Sequence, residues 1–346
     1  MTARPPITRV LICDDSRTYA TSLARFMEYE GDLKVVGVCS TGEEALKALP
    51  RLQPDLVTMD TELPGISGIE ATERIMRSQP TPIVVLSAHT RRASERAAAA
   101  LSAGALDVLS KADLALDDPA GPRAIAFRRR VARLARAYVR QRPPSDCRPR
   151  DPRPGRRSGR AVGICASTGG PQALETVLAG LPADFPLPIL VVQHMGDGFM
   201  EGLVRWMDQR LPLPARIAAD GVKARPGVWF APDDAHLLLQ PSMHLALDRK
   251  TVAGLHRPSA DVLLRSIAAA VGAEGVAVVL TGMGRDGAEG IGAIRAAGGH
   301  TIAQDEATAA VFGMPKAAAE GGAEVVLPLS EIATELRYLP VAEGAA

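Results

Sequence analysis

The sequence predicts an α/β protein built as two doubly wound parallel-sheet domains. Two series of short, continuously apolar runs alternate with amphipathic stretches, an Arg/Pro-rich segment separates the series, and polar residues capable of chemistry fall where the apolar runs stop. At 346 residues the chain is long enough for each domain to bury a core of its own.

The first series occupies Arg9 to about Tyr138 and reads RVLIC, LKVVGVC, DLVTMD, PIVVLS and ALDVLS, each run followed by a helix-like segment. The runs lack polar alternation because strands of a parallel sheet are covered on both faces. Arginines then crowd the chain, among them Arg128, Arg129, Arg130, Arg133, Arg136, Arg140 and Arg142, and prolines from Pro143 to Pro154 forbid a continuing helix. The last helix of the first domain is expected to end near Arg142, with a flexible tether to about Gly159. The arginines are read as the solvated face of that helix plus a soluble tether, in preference to a patch for an anionic partner. From Arg160 the alternation resumes with AVGICAS, LPILVVQH, GVWFAP, HLLLQ, GVAVVLTG, HTIAQ and AEVVLPL. The expected boundaries are 8–125 for the first domain, 126–159 for helix end and linker, and 160–340 for the second. The Ala/Glu/Gly tail beyond Pro340 is expected to fray.

Bulk composition mainly excludes. A formal net charge of +1 and 3% aromatic residues argue against nucleic acid as a partner, and no apolar run spans a bilayer, so the chain is expected in the cytoplasm without membrane insertion. Cys13, Cys39, Cys147 and Cys165 form no CxxC pair, which favours reduced thiols over a disulfide framework or a zinc site.

Residues beyond the carboxyl ends of parallel strands gather at one rim of the sheet. In the first domain that rim collects Asp14 and Asp15 after the first run, Asp60 after the third, Ser87 after the fourth and Lys111 after the fifth. Taken singly, each is a plausible cap or surface residue; five in order at strand ends are not. Three clustered carboxylates call for a hard divalent cation, most plausibly Mg²⁺, beside which Asp60 could form an acyl phosphate while Ser87 and Lys111 bond the phosphoryl oxygens. The segments VLICDDS, DLVTMDTELPGISGIEA, VVLSAHT and GALDVLSK resemble the receiver domain of two-component response regulators, of flavodoxin-like fold. The resemblance implies Asp60 as phosphorylation site, Asp14 and Asp15 with Asp60 as the Mg²⁺ pocket, Ser87 as switch hydroxyl and Lys111 as phosphate-contacting cation. Ala112 departs from it, since the family places a proline after its lysine.

In the second domain, AVGICASTGGPQALETVL reads as strand, tight turn and helix with Ser167 at the turn, where helix amides and the positive dipole end favour developing negative charge. On this evidence alone Ser167 could be an ordinary N-cap. His194 ends the next strand and Asp286 follows GVAVVLTGMG, so a base and a carboxylate to orient it can reach the same rim. The segments ICASTGGPQAL, VVQHM, RPSADVLL, VVLTGMGRDGAEG and QDEATAAVFGMPKAA resemble the chemotaxis-type protein-glutamate methylesterases, in which a receiver precedes a Rossmann-like catalytic domain. The resemblance implies Ser167 as nucleophile on glutamyl methyl esters of chemoreceptors, His194 as proton shuttle, Asp286 as its orienting group, and glutamine deamidation by the same acyl chemistry. It also implies an oxyanion hole with the Met283 amide, support from Thr168, no metal for the esterase, a chemotaxis histidine kinase as phosphodonor, and a monomer repressed when its unphosphorylated receiver covers the hydrolase site.

Two other readings compete. Gly282, Gly284 and Gly287 fit GxGxxG after an apolar strand, with Asp305 following the next strand, as in a dinucleotide-binding site; Asp286 puts the wrong charge there for a pyrophosphate. A non-enzymatic regulator with a degenerate hydrolase domain is disfavoured by the joint presence of Ser167, His194 and Asp286. Cys165 is read as a buried strand thiol, His236, His244 and His256 lack metal-ligand spacing, and His256 is placed along the substrate groove.

Overall fold

The computed structural model describes residues 7–87, 91–137, 158–251 and 256–339. It divides into two compact units, Met1–Pro143 and Pro144–Ala346.

The first unit alternates β1 (Thr8–Cys13), α1 (Arg17–Glu28), β2 (Leu33–Cys39), α2 (Gly42–Leu52), β3 (Leu56–Asp60), α3 (Gly68–Ser78), β4 (Ile83–Ser87), α4 (Arg91–Ser102), β5 (Asp107–Ser110) and α5 (Pro122–Leu134). All five strands run parallel in the order β2-β1-β3-β4-β5. Every residue of β3 and β4 is buried, which accounts for their unbroken apolar reading. Helix starts follow from local chemistry: the side chains of Ser16, Thr41 and Ser67 accept from backbone N–H groups of α1, α2 and α3. Strand order reverses between β1 and β3, so the residues after β1 face the end of β3 across the switch point.

The expectation of a solvated arginine face holds for Arg129, Arg133 and Arg136, which are exposed, and fails for Arg128 and Arg130. Arg128 is fully buried, its guanidinium donating to the carbonyls of Phe26 and Pro119 and pairing with Glu30. Arg130 pairs with the buried Asp107. These arginines anchor α5, because carbonyls and carboxylates from distant segments satisfy charges that the linear sequence leaves unanswered. The helix end near Arg142, the tether, Cys147 and the tail after Pro340 lie outside the described residues.

The second unit contains β6 (Ala161–Ala166), α6 (Gly170–Ala179), β7 (Pro188–Gln193), α7 (Met200–Asp208), β8 (Ala215–Ile217), β9 (Gly227–Phe230), β10 (His236–Leu239), β11 (Leu245–Asp248), α8 (Ala260–Val271), β12 (Gly275–Val279), α9 (Ala288–Ala296), β13 (His300–Gln304), α10 (Met314–Glu320), β14 (Val325–Leu327) and α11 (Leu329–Arg337). Seven parallel strands lie in the order β14-β13-β12-β6-β7-β9-β8. The chain winds outward from β6 through β7, then returns to β12 on the other side of β6, so the crevice at β6 is again a switch point.

One apolar run leaves this sheet. HLLLQ forms β10, which pairs antiparallel with β11 as a separate two-stranded ribbon. Its residues Leu237 and Leu239 join Leu263, Leu264 and Ile267 of α8 in one buried cluster, and Ser266 Oγ accepts from Leu239 N. Full burial of each such leucine contributes about 1.5–3 kcal/mol, so the ribbon fixes α8, whose amino end enters the site described next.

Candidate active site and phosphoacceptor pocket

In the first unit Asp60 closes β3 and Asp14 follows β1, and one ligand oxygen from each of Asp14, Asp15 and Asp60 lies within 4.8 Å of the others. Lys111, directly after β5, reaches both buried carboxylates, with Nζ 2.6 Å from Asp14 Oδ2 and 2.5 Å from Asp60 Oδ2. Burial raises the Asp14 carboxyl above its ordinary range, and Lys111 only partly offsets this, because one ammonium is shared between two carboxylates. For Lys111 burial acts downward, but bonds to Asp14 and Asp60 outweigh it and raise its pKa. This is an oxygen-rich, under-neutralised cluster, the donor set that suits a hard divalent cation. Ser87 Oγ, at the end of β4, is buried without a hydrogen-bond partner among the described residues. At the position where a proline was expected, the Ala112 N–H donates to Ser110 Oγ at 3.2 Å, a bond proline could not make.

In the second unit the adjacent ends of β12, β6 and β7 converge. Ser167 follows β6 and is tied to the end of β12 by its N–H bond to Thr281 O at 3.0 Å. His194 follows β7, and its N–H donates to Ala166 O at 2.9 Å, continuing the β6–β7 ladder to the site. Asp286 lies between β12 and α9, and its Oδ2 stands 3.0 Å from His194 Nε2, with the ring N–H turned out of line with the carboxylate. The ring of His256 stacks on His194 at a centroid distance of 4.4 Å and an interplanar angle of 21°. Beside them a cavity of about 60 Å³ is lined by His194, His256, Arg257, Pro258 and Asp233.

Burial works against the charged form of Asp286, but His194 and the backbone N–H groups of Asp261 and Ala260 outweigh it, so the carboxyl is held well below the usual carboxylate range. Its bonds are specific: Ser259 Oγ donates to Oδ1 at 2.9 Å, Asp261 N to Oδ1 at 3.0 Å and Ala260 N to Oδ2 at 2.8 Å. The amino end of α8 thus holds Asp286 as an anion facing the imidazole. Burial, with the nearby charges of Asp286 and Asp261, pushes the Cys165 thiol far up, which keeps it an inert packing group.

Several site residues escaped the sequence reading. Gln193, the polar last residue of β7, donates from Nε2 to the carbonyls of Ser167 and His194, both at 2.8 Å. Gln304, ending β13, accepts from Thr281 N at 2.7 Å, and Thr281 Oγ1 donates to Thr168 O at 2.9 Å. A polar residue closing an apolar parallel strand was the available signal for both glutamines. His236 has no ligand role either; its Nδ1 accepts from Ser259 N at 3.1 Å, which leaves Nε2–H to donate to Thr251 O at 3.1 Å. The dinucleotide reading meets a direct obstacle: at the amino end of α9, where a pyrophosphate would bind, the Gly287 and Gly290 amides already donate to Asp261 Oδ1.

A family model for the CheB methylesterase matches residues 162–336, and one for the response regulator receiver domain matches residues 10–115. The chain belongs to the CheB methylesterase family. Among its relatives is "Protein-glutamate methylesterase/protein-glutamine glutaminase 4" of Myxococcus xanthus (strain DK1622), 40% identical over 95% of this chain and 96% of that protein. Another is "Protein-glutamate methylesterase/protein-glutamine glutaminase 3" of Anaeromyxobacter dehalogenans (strain 2CP-C), 43% identical over 95% of this chain and 98% of that one. The crystal structure of the Thermotoga maritima CheB methylesterase catalytic domain superposes with a TM-score of 0.51 at 40% identity, covering 53% of this chain and 100% of that one. The CheB family match and the receiver match therefore fall on the two units described above.

Proposed function

We propose that this chain is a phosphorylation-controlled protein-glutamate methylesterase and glutaminase acting on chemoreceptors, with Ser167, His194 and Asp286 as nucleophile, base and orienting carboxylate. The observation that carries the reading is the meeting of these residues at three adjacent strand ends, with an ionised Asp286 3.0 Å from His194. Nε2 is the ring nitrogen that lies 3.0 Å from Asp286 Oδ2, and we assign Nδ1 of His194 to serve Ser167. Ser167 Oγ attacks the side-chain carbonyl carbon of a glutamyl methyl ester as His194 takes its proton. The tetrahedral oxyanion is held by backbone amides. The family resemblance implies the Met283 amide among these donors and Thr168 as support for the nucleophile; the amides of Ser167 and Gly282 donate to the carbonyls of Thr281 and Val311. Collapse breaks the ester C–O bond, and the proton held by His194 leaves with methanol. Water then yields its proton to His194, attacks the acyl carbon and releases glutamate, with the proton returned to Ser167. With glutamine the leaving group is ammonia, and the other steps are unchanged.

In the receiver unit Asp14, Asp15 and Asp60 would hold Mg²⁺, which when bound neutralises an incoming phosphoryl group. Asp60 accepts that group from a chemotaxis histidine kinase, and the unpartnered Ser87 hydroxyl and Lys111 bond its oxygens. Phosphorylation controls the esterase only if it stabilises the active arrangement more than the repressed one. No helix among the described residues is long and apolar enough to cross a membrane, and we assign a monomer working in the cytoplasm. Methanol release from methylated receptor, with and without a small phosphodonor and Mg²⁺, tests the whole reading. Ser167→Ala should abolish release, and Asp60→Asn should keep the basal rate but lose stimulation. Equal stimulation of Asp60→Asn and wild type would overturn the regulatory half; release by Ser167→Ala at the wild-type rate would overturn the catalytic half.

A further inference from the structure

Asp261 is the second residue of α8, yet its carboxylate does not cap its own helix. Its Oδ1 accepts from Gly287 N at 2.9 Å and Gly290 N at 2.8 Å, the amides of the N-cap residue and of the third residue of α9. That helix begins at Ala288 after its N-cap residue Gly287 and has no side-chain cap of its own, so Asp261 supplies it from the neighbouring helix. The reverse also holds: the first amides of α8, those of Ala260 and Asp261, donate to Asp286, which directly precedes Gly287. Two helices therefore exchange caps through two aspartates.

We propose that Asp261 is a positioning residue for Asp286, acting through this exchange; the inference rests on the reading of Ser167, His194 and Asp286 as the catalytic set. The geometry makes the two ends interdependent. Gly287 N belongs to the peptide unit whose carbonyl carbon is that of Asp286, so the Asp261 bond fixes the backbone from which the catalytic carboxylate hangs. Gly287 adopts a φ of +100°, a turn other residues rarely make, and the Asp261 bond holds the chain in it. The Asp286 side chain is then fixed at its far end by Ser259 Oγ and the α8 amides, and Ser259 N is in turn held by the buried His236. Backbone and carboxylate are gripped from the same turn of α8. Asp286 and Asp261 also repel one another, a cost that a neutral cap would avoid unless both acceptors were needed at this spot.

The expected magnitude follows from geometry. Loss of Asp261 frees the Asp286 backbone, and a displacement approaching 1 Å costs on the order of 10²-fold in rate. In methanol release from methylated receptor by the full chain, with phosphodonor saturating throughout, Asp261→Ala should lower kcat by roughly 30- to 100-fold and leave KM within about twofold. Asp261→Asn keeps an oxygen acceptor at the same place and should retain at least about a third of wild-type kcat. Asp208→Ala removes a comparable bond, from Ala215 N at 2.9 Å, remote from the site, and should leave kcat unchanged. If Asp261→Ala does not fold, Asp261→Glu decides: it keeps the charge but moves the acceptor, and kcat should fall about tenfold at constant KM. A wild-type kcat in Asp261→Ala, or in Asp261→Glu, overturns the proposal, as do equal losses in Asp261→Ala and Asp261→Asn or a matching loss in Asp208→Ala. Ser167→Ala, run alongside, separates the two levels: release by that variant strikes the catalytic assignment, whereas a dead Ser167→Ala with a fully active Asp261→Ala strikes only the positioning role.

Discussion

Gly282 offers a direct test of how tightly the Ser167 turn is built. A Cβ added there would stand 2.8 Å from Ser167 Cβ and 2.4 Å from Met314 Sδ. Carbon atoms in good contact sit about 3.5–4.0 Å apart, so Ser167 would have to move by roughly 0.7 Å or more, or Gly282 would have to retreat by as much. Met314 is fully buried and cannot swing into solvent to relieve the overlap. Gly282→Ala should therefore destabilise the second unit by about 1–3 kcal/mol, as overpacking does, and lower its melting temperature by about 2–4 °C for each kcal/mol. The larger effect should be on rate. A nucleophile shifted by most of an ångström loses on the order of 10- to 100-fold in kcat, with KM little changed because the displaced group makes its decisive contact in the transition state. The assay is methanol release at saturating methylated receptor, paired with a thermal melt. A variant that melts lower but turns over at the wild-type kcat would refute the close approach of Gly282 to the nucleophile as a catalytic constraint.

Asp286→Asn should fold, since Asn can still accept from α8, but kcat should drop by about 10³- to 10⁴-fold as the imidazole loses the anion that selects its tautomer; a loss below tenfold would contradict the role assigned to the carboxylate. His300 lies between Glu324 Oε2 at 3.0 Å and Glu335 Oε1 at 3.2 Å; burial lowers its pKa, but the two carboxylates outweigh this and raise it. Its ionised form therefore stabilises the second unit fully below the unfolded pKa of about 6.5, and that contribution fades as pH rises through the folded value. The melting-temperature gap between wild type and His300→Gln should be widest near pH 6 and narrow towards higher pH; a gap that widens with pH would reverse the assignment. Arg128→Met should destabilise the receiver unit, since the Phe26 and Pro119 carbonyls lose their donor, at about 1–3 kcal/mol for each acceptor left buried and unsatisfied, which urea denaturation would measure.

Much of this architecture can be read from the chain alone because parallel strands announce themselves. The runs that became β1, β3, β4, β6, β7 and β12 are predominantly apolar, and the rule that chemistry gathers at their carboxyl ends singles out Asp60, Ser167 and His194 as candidates without any tertiary knowledge. Asp286 is harder, since nothing local states that β12 docks beside β6. HLLLQ misled for a related reason: three apolar residues suit a sheet or a ribbon equally, and only packing against α8 decides. Arg128 looked solvated because its acceptors, Phe26 O and Pro119 O, are placed by the fold and not by sequence proximity. Gln193 and Gln304 carried only the signal of a polar residue closing an apolar strand, and Thr281 none, because their work is to hold backbone groups that only the assembled strand ends bring together.

The placement of β12 next to β6 has a consequence for how the enzyme comes into being. Ser167 and His194 emerge early in the second unit on strands that neighbour each other, whereas Asp286 and the α8 turn that grips it follow only after β8 to β11 have been made. Contacts between residues so distant along the chain form late, after the entropy of closing a long loop has been met. A nascent or truncated chain ending before β12 holds a serine and a histidine side by side with no anion to orient the base. With Ser167, His194 and Asp286 in the roles proposed above, hydrolytic competence is thereby withheld until β12 and the turn after it have been synthesised and folded.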